Sequence, residues 1–319
     1  MEWASDVSAG DWIRERLEWD PQVWTIHHLV PGGMPAYARI FHPVHRERPV
    51  GRAWPAEGDL GAWERFSADR PEIDAERVTW QHAADAFGTT MHPLAQWGGL
   101  IGAAPDDWNP DAPHDADGWR YDGPGGGGLV PEALAGIVPH LLAHTSTPDD
   151  GFAGVWEGWG DLVGAKVRGA ASSDALLAHD PRHTAMLRAS LKDTFNGVFG
   201  RAKWRPGILS DEISRGPRLG LPDRDHVLFR MAPRSWADES WPATVAWRDE
   251  NPEYSHPPSL IWPTGREWVI AGDVDLDSSI VAGPTALIRA LVDDPAVEAH
   301  ELPAGAPIWG PDPINQPGG

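Results

Sequence analysis

Between His140 and Leu162 the chain reads HLLAHTSTPDDGFAGVWEGWGDL, with two histidines four residues apart, two adjacent acids and two tryptophans. On a helix, His140 and His144 project from one side on successive turns, the spacing of two ligands to one zinc ion. Asp149, Asp150 and Glu157 are the candidates for a third ligand. The zinc-protease signature His-Glu-x-x-His would place Glu at 141, where this chain has Leu141, so that chemistry lacks support. The competing reading is structural. His140 flanks an apolar stripe, and His144 before TSTP sits where a helix ends and a histidine meets the negative pole of its dipole.

A second concentration of acid lies in GDVDLDSS. If EWVIAGDVDLD is one strand, Glu267, Val269, Ala271, Asp273, Asp275 and Asp277 share a face, and Trp268, Ile270, Gly272, Val274 and Leu276 take the other. Three carboxylates in line suit a hard cation. An EF-hand loop starting at Asp273 fails, because Ser278 and Pro284 stand where Gly and Glu are required. The Asp-x-Asp patterns of phosphatases and sugar transferases fail because no wound sheet or nucleotide fold surrounds this one. A catalytic reading joins His140, His144 and Glu157 to Asp273, Asp275 and Asp277 as general base and acid. Its metal version uses His140, His144, Asp273, Asp275 and Asp277 as ligands. Both versions require the two blocks to meet in one pocket.

Other motifs carry less. DGPGGGG satisfies G-x-G-x-x-G through Gly123, Gly125 and Gly128, but no apolar strand precedes it and no Lys-Ser/Thr follows, so it reads as a flexible loop. No G-x-S-x-G elbow is present, which disfavours a serine hydrolase. His42 with His45, and His179 with His183, are weaker histidine pairs. The chain holds 19 tryptophans against 7 phenylalanines and 3 tyrosines, so tryptophan either fills the core or lines a groove. As a groove, the ligand-binding candidates are Trp156, Trp159, Trp262 and Trp268, with Arg39 and His42 from AYARIFHPV.

These residues must be positioned by elements that the pattern marks out. VWTIHHLV and AYARIFHPV read as strands around a PGG turn, a short helix centres on Trp63, and one or two short helices fall in TWQHAADAFGTTMHPLAQWGGLIG. Ala103 to Gly128 reads as a surface loop. A helix starts at Pro131 with a stripe of Leu134, Ile137, Val138, Leu141 and Leu142, and Pro139 is expected to kink it. GFAGVWEGWGDLVG reads as a strand. Residues 166–226 read as a helical insertion. Then follow strands in HVLFRMAP, SLIWP and EWVIAGDVDLD, a helix in GPTALIRALVDD and a strand in AVEAHEL. Short hairpin-linked strands segregated from helices predict an α+β fold, mainly an antiparallel sheet with flanking short helices. One domain over 1–302 is expected, divisible into lobes at about 1–165 and 227–302, followed by a disordered Pro/Gly-rich tail at 303–319.

The absence of cysteine removes disulfides, thiolate zinc sites, iron–sulfur clusters and a cysteine nucleophile. A formal net charge of -21 opposes nucleic-acid backbones and anionic lipid surfaces and suits a basic protein partner. No apolar run reaches the length of a membrane span, and MEWASDVSAGDWIRERLEW lacks the basic and apolar regions of a secretory leader, so the expectation is cytoplasmic.

Four blocks in order, AYARIFHPV, HPLAQW, GLVPEAL…LLAHTSTPDDGFAGVWEGWG and SLIWPTGREWVIAGDVDLDSSIVAGPTALIRALVDDPAVEA, resemble an actinobacterial family of cytoplasmic proteins without assigned activity or catalytic residues. The resemblance implies that these blocks form one architecture, with the Asp-bearing segment near its C-terminal end. The resulting expectation is a non-catalytic binding protein, an adaptor or immunity-type partner, with no cofactor. The alternatives are the His/Asp enzyme with a divalent metal, and small-ligand binding in a Trp-lined pocket. No sequence feature sets the oligomeric state.

Overall fold

Residues 36–41 and 225–230 are apolar enough to be buried on both faces, which requires strands in the middle of a covered sheet. The computed structural model, which describes residues 1–20, 22–56, 58–103, 113–167 and 203–316, places them there. In chain order the strands are β1 (Glu2–Trp3), β2 (Ala36–Phe41), β3 (Val44–Pro49), β4 (Ile73–Val78), β5 (Arg120–Asp122), β6 (Gly151–Trp156) and β7 (Ala165–Val167). They continue with β8 (Lys203–Arg205), β9 (Leu219–Gly220), β10 (Asp225–Arg230), β11 (Leu260–Pro263), β12 (Val269–Gly272), β13 (Ser278–Gly283) and β14 (Ala299–Leu302). The main sheet has the order β1-β10-β6-β11-β12-β13-β2-β14, with β9 added on β10. Every pairing in it is antiparallel. The fold is α+β with mainly antiparallel sheet. A second sheet, β4-β3-β5, and the pair β7-β8 stand beside it.

Helices cover one face of the main sheet. The helix α5 (Pro131–Ala143) buries Leu134, Ile137, Val138 and Leu141, and α7 (Thr285–Val292) buries Leu287, Ile288 and Leu291. Both pack on Val155, Phe229, Ile270 and Val281, together with the buried rings of Trp236, Trp241, Trp247 and Trp268. The helix α5 runs through Pro139 as one element. Two further helices, α3 (Trp80–Phe87) and α4 (Trp97–Leu100), pack with Val44, Trp119 and Tyr121 against the small sheet. Thr79 caps α3 by accepting the His82 N–H at 3.0 Å, and Gly88 ends it at φ +69°.

The opposite face is covered by irregular chain. Trp12, Ile13, Ile26 and Val30 from the N-terminal segment and Ala306 and Ile308 from the C-terminal segment pack on Leu228, Leu260, Trp262 and Ile280. Four expectations change here. Residues 26–28 form a 3-10 turn and not a strand, because Thr25 Oγ1 accepts the His27 N–H and stops the extended run. The tail does not hang free over 303–316: Ala306 and Ile308 are buried, and Asp312 Oδ1 lies 2.9 Å from His92 Nε2. Its apolar residues and one carboxylate outweigh its proline and glycine content.

The lobes divided at 165 and 227 do not match the sheet, since β6 pairs between β10 and β11. The helical reading of 166–226 falls mostly on 168–202, outside the described residues. Around that gap lie the β7–β8 ladder, the single turn α6 (Asp211–Ser214) and β9. Residues 113–128, expected as surface loop, contribute β5 and the buried Trp119 and Tyr121.

Candidate functional site

His226 is the polar member of an apolar strand. In β10 it shares a face with Leu228, and that face meets the irregular cover, not the helices. Across the sheet runs the row Leu228, Gly154, Leu260 and Ala271. Leu260 and Ala271 border open space, whereas the row is closely packed at Gly154. A Cβ at Gly154 would stand 3.3 Å from the Leu260 Cβ and 3.5 Å from the His226 Cβ. Above this floor lies a cavity of about 70 Å³. His226, Ser259, Leu260 and Ala271 line its base.

Its walls come from three segments. Trp24, ahead of the 3-10 turn, and His28, its last residue, stack with ring centroids 5.0 Å apart and an interplanar angle of 5°. The His28 Nε2 and Nδ1 atoms each lie 3.1 Å from a main-chain oxygen, of Asp20 and Thr25, which fixes that ring. Trp309 from the tail meets Trp24 edge-on at 5.6 Å. The last wall is acidic. Arg224 donates from Nε to Asp273 Oδ2 at 2.5 Å, and from Nη2 to Asp273 Oδ1 at 2.8 Å and Asp275 Oδ2 at 2.6 Å. Trp156 lies beneath the guanidinium at 4.7 Å. With Asp223, the lining holds three carboxylates against one guanidinium.

Burial dominates the electrostatics of the floor. His226 is 4 % exposed and its Nδ1 has no hydrogen-bond partner. Burial lowers its pKa from 6.5 to about 4, and the nearby Asp273 charge does not recover it. The ring is therefore neutral near pH 7. Arg224 is raised: its own burial opposes this, and the Asp273 and Asp275 carboxylates override it.

Of the residues singled out from sequence, Asp273 and Asp275 line this cavity. They do so from a turn. The strand ends at Gly272, Asp273 Oδ1 accepts the Asp275 N–H at 2.9 Å, and the Leu276 N–H returns to the Asp273 carbonyl at 3.0 Å. The three carboxylates therefore do not stand in line on a strand face, and Asp277 turns away to Arg39 at 3.1 Å. The glycine loop expected to be flexible is packed on this turn. The Gly127 N–H donates to the Asp273 carbonyl at 2.9 Å, and a Cβ at Gly126 would come within 2.5 Å of the Val274 oxygen.

The histidines lie elsewhere. His140 Nε2 is 2.8 Å from Asp294 Oδ2, and His144 Nδ1 donates to the His140 carbonyl at 2.8 Å, the helix-end role. This end of α5 is tied to the start of β12: Trp268 Nε1 donates to the Leu141 carbonyl at 3.1 Å, and Glu267 accepts the Ser146 N–H at 2.8 Å. The acidic turn follows the other end of that strand, roughly 16 Å away at about 3.3 Å per residue. Glu157 is paired with Arg218 at 2.7 Å. Asp149 pairs with Arg234, and Asp150 with Arg230 at 2.7 Å. Among the described residues no group of three or more histidines and acids is disposed to hold a metal ion. The two blocks are not brought together.

The predicted ligand-binding residues are mostly interior. Trp262 and Trp268 are buried in the two core layers. Trp159 stacks on His256 at 3.9 Å, and Trp156 supports Arg224 without lining the cavity. Arg39 is fully buried and donates to Ser278 Oγ at 2.7 Å and the Ala95 carbonyl at 2.8 Å. His42 joins Ser279 Oγ at 2.9 Å to the Gly125 carbonyl at 2.6 Å, with its pKa lowered by burial. Arg39 and His42 form a buried polar seam that ties the main sheet to the Pro93–Ala95 segment and to the glycine loop.

Sequence reasoning missed Trp24, His28, Arg224, His226 and Trp309. One signal was readable: a histidine on the buried face of HVLFR. No protein-family model, no curated protein and no solved structure matches the chain, so the cavity and its residues define the site by their own geometry.

Proposed function

We propose that the protein is a non-catalytic binding protein that takes a small organic molecule in the cavity between Trp24 and Trp309. The observation that carries this reading is the cavity itself, walled by Trp24, His28 and Trp309 above His226, Ser259 and Ala271. Aromatic walls around a few polar groups are the usual make-up of a small-molecule site. Binding is favoured over reaction because His140, His144 and Glu157 lie apart from Asp273 and Asp275, with each set already engaged by other groups.

The test is a metabolite panel spanning cationic, neutral and anionic compounds, read by thermal shift and by the indole N–H resonances of Trp24 and Trp309. Binding that disappears in Trp309→Ala and in the cavity-filling Ala271→Leu supports the reading. A panel without a single hit, or hits unaffected by both substitutions, overturns it.

A second reading has its own observation. Trp19, Val23 and Trp24 are 42 %, 57 % and 39 % exposed and adjoin the cavity mouth. An exposed aromatic patch on a chain of net charge -21 suits a basic protein partner. Loss of partner capture in a Trp19→Ser, Trp24→Ser variant tests it.

A further inference from the structure

The main sheet ends at β14, which pairs with β2 on one side only. The Phe41 N–H donates to the Glu298 carbonyl at 3.0 Å, so alternation along the ladder turns the main-chain N–H and C=O of Ala299 and Glu301 away from β2. Among the described residues these four groups have no hydrogen-bond partner. We propose that this edge docks an extended basic segment of a partner protein, which adds to β14 as a further strand.

Shape supports an occupant in the plane of the sheet. Beside the start of β14 lies a groove of about 590 Å³. Its lining comes from two layers of the interior. Ile40, Ile137 and Ala299 belong to the helix-covered layer, and Phe41, Val78 and Met91 to the layer of the small sheet. A body that touches both lies where the next strand would run, about 4.8 Å from β14, with its side chains alternating between the two layers. There is room for them on the α5 side, since a Cβ at Gly136 meets nothing within 4 Å. Main-chain pairing then supplies affinity, and the two sides of the groove select apolar residues at alternate positions. The edge is short, because Pro303, the next outward position, has no N–H; the paired stretch spans about five residues.

Charge sets the flanking residues of the partner. Glu132 and Glu298 line the groove and Glu301 follows on the strand, against the guanidinium of Arg77. Glu298 also accepts the Trp80 and Gln81 N–H groups at 2.7 and 2.8 Å. His300, whose pKa burial lowers, adds no charge near pH 7. The formal net charge of -21 extends the same sign over the molecule, so lysines beside the paired residues suit this edge and acids oppose it.

The experiment titrates the full chain with three labelled peptides. The first is acetyl-Lys-Lys-Val-Leu-Val-Lys-amide, the second is the same sequence N-methylated at its valines and leucine, and the third has Glu in place of Lys. Fluorescence anisotropy reads binding, and hydrogen exchange reads the Ala299 and Glu301 amides. The expected result is that the first peptide binds at least about tenfold more tightly than the other two and slows exchange of both amides at least about tenfold. Glu301→Pro removes an outward N–H where no ladder bond is made and weakens binding at least about tenfold, whereas Glu301→Gln weakens it at most about threefold. Gly136→Leu places a side chain in the open part of the groove, improves helix propensity and blocks binding.

Equal binding of the N-methylated peptide overturns strand addition, and equal binding of the Glu peptide overturns the basic partner. Absence of binding overturns both. Affinity unchanged in both Glu301→Pro and Gly136→Leu puts the peptide elsewhere and overturns the assignment. Protection of the two amides that rises with protein concentration, without peptide, gives the edge to a second copy of this chain and overturns the partner.

Discussion

Replacing His226 by leucine removes one buried titrating group and leaves an apolar side chain of similar reach in its place. In the folded chain burial holds this imidazole at about 4, against 6.5 for the exposed group. Above pH 6.5 both folded and unfolded states are neutral at this residue, and it makes no pH-dependent contribution. Below 6.5 the unfolded chain takes up a proton that the folded chain refuses, so acid favours unfolding until the folded group itself titrates near 4. At about 1.36 kcal/mol per pH unit, the wild type loses about 1.4 kcal/mol by pH 5.5 and about 3 kcal/mol by pH 4 through this residue alone. His42, whose pKa is also lowered by burial, titrates in both proteins and cancels in the comparison.

The assay is urea unfolding of wild type and His226→Leu at about pH 7.5, 6.5 and 5.5, followed by circular dichroism, with equal m-values as the check on two-state behaviour. Staying above pH 5.5 keeps the chain clear of its isoelectric point near 4.9, where loss of net charge promotes association. The stability difference between the two proteins should shift toward the variant by about 1.4 kcal/mol between the highest and lowest pH. A difference that stays flat within about 0.5 kcal/mol would show that the imidazole is solvated in the folded state, and the floor of the cavity would then be wrongly described.

Arg224→Met strands the Asp273 carboxylate, 6 % exposed, without its countercharge; we expect a loss of about 3 kcal/mol in urea unfolding, largely restored by adding Asp273→Asn. Arg39→Met leaves Ser278 Oγ and the Ala95 carbonyl unsatisfied in the interior and should lower stability by about 3 kcal/mol, with Arg39→Lys intermediate. Truncation after Leu302 removes Ala306 and Ile308 from the core and Trp309 from the cavity wall, so the shortened chain should abolish ligand binding and become sensitive to proteolysis near Ile26, whose N–H bonds the Ala306 carbonyl. Burial raises the Asp312 pKa, but N–H donors from Gln96, Asn315 and Ile314 override it and hold the group at about 2, so its contribution is complete above pH 3.8 and disappears as pH falls toward 2; Asp312→Ala should flatten that limb of the acid-unfolding curve.

Local patterning made much of the architecture legible. The β2 strand alternates as AYARIF requires, the α5 stripe of Leu134, Ile137, Val138 and Leu141 faces the sheet, and the C-terminal strands and helix occur in the order read, except that the buried strand β13 between β12 and α7 was not read. The misreadings share a cause. Residues 26–28 and 306–309 carry little periodicity of their own and are held by contacts with parts of the chain far away in sequence, so neither propensity nor composition reports their state. EWVIAGDVDLD alternates through Asp277, yet the ladder stops at Gly272 because the Asp273 carboxylate captures a main-chain N–H and turns the chain. The buried histidine in HVLFR was visible as an anomaly, but nothing local says that a cavity lies above it.

By itself the sequence determined which side chains face inward, because apolar periodicity of two or 3.6 residues is set by backbone geometry and the cost of leaving hydrocarbon in water. It also removed all thiol chemistry, since the residue type is absent. Only the tertiary structure decided which charges meet. An ion pair such as Arg224 with Asp273 joins residues 49 positions apart, and His226, Trp24 and Trp309 reach one cavity from three regions of the chain. Polar recognition depends on distances of a few ångströms between groups that no local interaction couples, and those distances exist only once the sheet has closed over its core.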